Sequence, residues 1–153
     1  MRISEWLAWA GKVRIVVEQE GGHQIFELTN LVTDAGRNLV REALRGPADA
    51  GIRFVALGTG TAAPAVTDTQ LQAEQFRKAV TRQETGAVGE LITTMFVAPF
   101  EANAFVTNEI GWFAGPGATA TANSGVLIAR VLWTRAKNDR ESVQIERRDT
   151  LGG

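Results

Sequence analysis

A chain of 153 residues, 44% apolar and 22% charged, is long enough for one domain with a buried core and has the balance of an ordinary globular protein. A net charge of −1 gives no electrostatic reason to bind nucleic acid or an anionic membrane, and no apolar run approaches the roughly 18–20 residues of a membrane span. The absence of cysteine excludes disulfides, thiolate catalysis and thiolate-ligated metals, and His23 is the single histidine.

Residues 1–11 read as an N-terminal arm. Arg2 and Glu5 interrupt it, so it lacks the pattern of a secretion signal. Lys12 to Thr29 alternates Val13, Ile15 and Val17 with other residues and returns through Ile25, Phe26 and Leu28, which predicts a β-hairpin turning at Gly21-Gly22. Thr33 to Arg45 is the one predicted helix. Thr33 or Asp34 caps it, Ala35, Leu39, Val40, Ala43 and Leu44 form an apolar stripe, and Gly46-Pro47 ends it. Ile52 to Leu57 reads as a strand entering Gly58-Thr59-Gly60, followed by a short helical turn over 69–75. Further strands are expected over 78–84, 90–97, 103–113, 126–134 and 141–147, with a long flexible loop over 114–125. The β-rich domain is assigned to 12–149 and a tail to 150–153. Eight or so short strands with one helix predict a mainly β, single-domain sandwich or barrel.

The order of several short motifs resembles the N-terminal attachment domain of phage tail-collar and tail-fibre proteins. That family's pattern sets a Leu-Thr-x-x-Gly helix start before an Ala-Val-Gly-Asp-Gly strand and a TxLxxExxR element. A Glu-Ile-Gly-Leu-Tyr/Phe strand and a GxLxA strand follow. The matching residues are Leu28-Thr29 with Gly36, Ala56 to Gly60, Thr69 to Arg77, Glu109 to Phe113 and Gly125 to Ala129, so the likeness spans about 28–130. Two departures stand out: Thr59 replaces the family's Asp, and the chain stops at Gly153 without a fibre shaft. The resemblance implies a trimeric or higher symmetric assembly.

Few residues suggest chemistry. Gly58-Thr59-Gly60 lacks the lysine of a phosphate-binding loop and reads as a structural turn. Glu109, in a strand, is a candidate base or ligand, but is expected to accept backbone N–H bonds or to pair with an arginine such as Arg77. His23 beside the turn completes no triad. The mixed charges of 135–149 read as a solvated strand edge or as intersubunit salt bridges. Trp112 and Phe113 belong in the core or, on a second reading, form a sugar-stacking shelf. The candidate interface residues are Trp6, Leu7 and Trp9, which either fold back on the sandwich or anchor on a neighbouring subunit.

The expected function is therefore assembly without catalysis, cofactor or metal. The chain reads as a structural protein of a tailed-phage virion, of tail-fibre or baseplate attachment type, assembled in the host cytoplasm. Its expected partners are its own copies and other virion proteins, with no nucleic acid and no membrane. Capsid decoration and a virion-surface receptor- or glycan-binding module are the alternatives.

Overall fold

Inward-facing valines and isoleucines alternate with other residues along the first and last strands, the central strands of the second sheet are buried on both faces, and two antiparallel sheets result. The computed structural model describes residues 8–152. One sheet has the order β2 (Gly22–Thr29), β1 (Ala8–Gln19), β10 (Glu141–Gly152), β7 (Glu90–Val97), β6 (Arg82–Thr85). The other runs β3 (Leu31–Val32), β9 (Val126–Arg135), β8 (Thr107–Ala114), β4 (Ile52–Gly58), β5 (Glu74–Ala79). Val13, Ile15, Met95 and Ile145 of the first sheet meet Val55, Ile110, Trp112 and Val131 of the second, all buried in one core. Among the described residues the fold is mainly β with one helix, as expected, and of the sandwich and the barrel it is the sandwich.

The helix α1 (Asp34–Arg45) lies against β9. Thr33 caps it by accepting a bond from the Gly36 amide at 2.9 Å, while its own hydroxyl donates to the Leu127 carbonyl. Thr29 closes β2, and Thr33 stands three residues before Gly36. Gly46, at φ 108°, ends the helix in the left-handed region and donates to the Glu42 and Ala43 carbonyls. Gly36 is required by contact: a Cβ there would stand 2.8 Å from Ile128 Cα and 2.9 Å from its carbonyl oxygen. Gly36→Ala is expected to cost about 1–3 kcal/mol, because helix and strand must part to admit a methyl group. Urea denaturation checks it, and an unchanged midpoint refutes the close approach.

Four expectations about the elements are corrected. β1 begins at Ala8 and β10 continues through Thr150 to Gly152, so 8–11 and 150–152 are paired strand, with Ala8 opposite Gly152, rather than arm and tail. The helical turn over 69–75 is absent because the Gln72 and Ala73 amides donate to the Glu109 carboxylate instead of to a preceding carbonyl. The single strand expected over 78–84 is two strands in different sheets. Between them Val80 N–H donates to the Arg53 carbonyl and Thr81 N–H to the Thr94 carbonyl, so the chain crosses the sandwich at that step. The strand expected from Asn103 starts at Thr107, and Asn103 instead accepts from the buried Lys137 ammonium.

Candidate interaction site

The outer face of the second sheet is built around Glu109, which is fully buried. Its Oε1 accepts from the amides of Gly60 at 3.0 Å and Ala73 at 2.8 Å, and its Oε2 from Gln72 N–H at 3.0 Å and Arg130 Nε at 2.8 Å. The glycine loop wraps a carboxylate rather than a phosphate. Cβ atoms at Gly58 and Gly60 would lie 2.5 and 2.6 Å from Oε1, so only glycine lets the backbone close over it. The expectation that Glu109 accepts backbone N–H bonds holds, but its arginine is Arg130, not Arg77. Every oxygen is engaged, which leaves no free lone pair aimed at a substrate.

Arg77 serves a different part of the same face. Its guanidinium is bidentate to Glu74, both side chains being almost wholly buried, and lies 4.3 Å from the centre of the Phe113 ring. Its Nη1 also donates to the Thr119 carbonyl and to both oxygens of Ser124. These bonds pin the segment expected to be a flexible loop over 114–125, whose Ala118 is buried. Segments far apart in the sequence therefore interlock. A Cβ on Gly111 would clash with Leu71 and Leu127 at once, at 2.7 and 2.8 Å, so three separate segments meet at one glycine.

Ion pairs close both ends of the inter-sheet core. At one end Glu141 accepts from Arg135 at 2.7 Å and from Gln19 Nε2 at 2.7 Å. At the other, fully buried Arg147 grips Asp149 through Nε and Nη2, and Trp9 Nε1 donates to Asp149 Oδ1 at 2.8 Å. The guanidinium lies 5.8 Å from the Trp9 ring centre and 5.3 Å from that of Trp112. With its amide turned to satisfy both neighbours, Asn30 donates to the Gly11 carbonyl and accepts from Arg147 Nη1.

Trp9 lies in β1 and folds against the sandwich, while Trp6 and Leu7 lie outside the described residues. The charged stretch 135–149 is not a solvated edge, because β10 is flanked by β1 and β7 and buries Glu141, Arg147 and Asp149. Trp112 and Phe113 are both 0% exposed, so they cannot stack on a sugar. His23 is exposed at the start of β2, opposite Glu18. Beside Trp9, the sequence reading missed an apolar furrow lined by Val40, Leu44 and Leu151. The helical stripe carried a signal for it, since Leu44 continues the stripe of Leu39 and Val40 but stays 79% exposed.

Burial alone raises the pKa of Glu109, but the N–H groups of Ala73 and Gln72 and the Arg130 guanidinium outweigh it, so Glu109 titrates below its ordinary 4.5. The Arg135 hydrogen bond, against the opposing effect of burial, holds Glu141 down in the same way, with help from Gln19. Carboxyls depressed in the folded state contribute stability above their unfolded values and lose it as pH falls through the folded ones. The urea midpoint is thus expected to hold on lowering pH from neutrality and to fall below about pH 4.5. A midpoint that rises below pH 4.5 refutes the assignment.

No protein-family model, curated protein or solved structure matches this chain.

Proposed function

We propose that this chain is a structural, non-catalytic subunit of a tailed-bacteriophage virion, an attachment or adaptor module of tail-fibre or baseplate type. One observation carries the reading. Motifs scattered over about a hundred residues, whose order resembles the tail-collar and tail-fibre attachment domain, are one another's packing partners. Gly36 seats on Ile128, the Gly58–Gly60 loop closes on Glu109, Leu71 and Leu127 meet at Gly111, and Arg77 covers Phe113. These segments lie on neighbouring strands of the second sheet and specify one local structure together, which is compatible with the resemblance spanning a single structural unit. The same contacts use the buried polar groups Glu109, Arg130, Glu74 and Arg77 for architecture, which suits a subunit that works by docking.

An antibody raised against the purified chain tests the reading on the particle fraction of the induced source culture by immunogold microscopy. Labelling at the tail end of tailed particles is the expected result. Head labelling replaces it with capsid decoration, and particles without label overturn it.

A further inference from the structure

The edges of the two sheets are not protected alike. β3 has two residues, β6 has four and β5 has six, whereas the edge strand β2 runs for eight, of which only Phe26 and Leu28 are half-buried. An open edge presents unpaired N–H and C=O groups, which proteins usually blunt with lysine, proline, a bulge or a short strand. β2 holds no lysine and no proline, and its register with β1 is continuous from Lys12–Thr29 to Gln19–Gly22. Its one acid, Glu27, is held by Arg14 at 3.0 Å.

The hairpin fixes which groups are free. The two-residue loop Glu20-Gly21 makes Gln19–Gly22 the closing hydrogen-bonded pair, and bonded pairs then recur at every second residue. Gln24, Phe26 and Leu28 therefore turn their main-chain groups toward β1, and His23, Ile25 and Glu27 turn theirs outward. Side chains alternate in step. Phe26 and Leu28 pack on the core opposite Ile15 and Val13, so His23, Ile25 and Glu27 stand on the outer face of the sheet. Ile25 is 49% exposed there, beside half-buried Val16.

We propose that β2 pairs antiparallel with β2 of a second copy about a two-fold axis at Ile25. In this register Ile25 meets Ile25, and His23 of each copy meets Glu27 of the other. The three facing pairs exchange roughly six main-chain hydrogen bonds. Each imidazole donates to the carboxylate opposite, and the row across the joint reads Glu18, His23, then Glu27 and Arg14 of the second copy, acceptors alternating with donors. The neighbouring row, Val16 and Ile25 of each copy, is apolar throughout. An axis at Phe26 would set Ile25 against Glu27, and an axis at Gln24 would carry Glu27 into the turn at Gly21. An edge that matches itself in this way fits a second copy of the same chain. Residues 1–7 cannot supply the pairing strand. Ile25 stands opposite Val16, eight positions along β1 from Ala8 and roughly 26 Å away, whereas seven residues span at most roughly 25 Å even before reversing direction.

One strand edge is smaller than the roughly 800 Å² per partner of a stable complex, so the dimer is expected to dissociate on dilution. Light scattering on the full-length chain over roughly micromolar to millimolar concentrations tests the pairing, with the variants Ile25→Lys and Ile25→Glu. The parent is expected to approach twice the monomer mass as concentration rises. Each variant alone is expected to stay monomeric with the parent's circular dichroism, because like charges then face each other at the axis. An equimolar mixture of the two is expected to dimerise again, since lysine now faces glutamate. That recovery separates a lost contact from a damaged fold and requires residue 25 to face itself. A parent that is monomeric throughout overturns the pairing, as does an oligomer that survives in both variants or a mixture that fails to recover. The pairing goes beyond the virion reading, and labelling of particles decides that reading independently of these outcomes.

Discussion

Replacing Arg147 by methionine is expected to lower the unfolding free energy by about 3–5 kcal/mol, the usual cost of stripping one partner from a buried ion pair. The side chain is completely buried, and its substitution leaves Asp149 in the core with only the Trp9 indole as a donor. Methionine fills much of the arginine volume, so the loss reports the orphaned carboxylate rather than a cavity. The double change Arg147→Met with Asp149→Leu removes both charges and is expected to regain most of the stability. Urea denaturation followed by tryptophan fluorescence measures these two and the single Asp149→Leu variant that completes the cycle. Strictly additive losses contradict the pairing, because additivity means that the two side chains act separately.

Glu109→Gln is the second large effect, also about 3–5 kcal/mol, for the carboxylate balances the buried Arg130 and receives three backbone N–H groups. A glutamine offers one acceptor oxygen where Glu109 has two, and turns an NH₂ group toward existing donors. The damage has a location as well as a size: with the amides of Gly60, Gln72 and Ala73 released, the segment 59–73 is expected to be cut by protease before the sandwich unfolds. The same variant flattens the fall in stability below about pH 4.5, since one of the depressed carboxyls no longer exists. A Glu109→Gln protein that resists protease like the parent and keeps its full acid response shows that the loop is held by other contacts.

Local chemistry was readable where it is local. The hairpin, the Thr33 cap, the Gly46 stop and the acceptor role of Glu109 follow from residue type and spacing of a few positions. The pairing of Glu109 with Arg130 rather than Arg77 does not. It depends on β8 lying beside β9 with a register shift next to Glu109, whereas Arg77 finds Glu74 three residues away in its own strand. The inward phase of β10 was present in the sequence but masked by charge. Val143 and Ile145 set an alternation that continues through Arg147 and Asp149, yet charged residues read as solvated unless a buried partner is known. The crossing at Val80–Thr81 was invisible for a related reason: strands on either side of a sheet switch share one period and differ only in their neighbours. The furrow beside Trp9 lay half outside local reasoning, because Leu44 belongs to a helical stripe and Leu151 to what read as a tail.

The pairing of Ala8 with Gly152 puts the two ends of the sandwich side by side on adjacent strands. Tension applied between these ends opens the β1–β10 ladder from its terminus, one residue pair at a time, at low force. A subunit held by its N-terminus and by the body of the sandwich is loaded differently. The pull then runs along β1, and the ladders to β10 and β2 resist together in shear. The same molecule is thus weak as a link in a chain and strong as a peg. A tether that leaves from β1 while the body seats on its neighbour uses it in the strong direction.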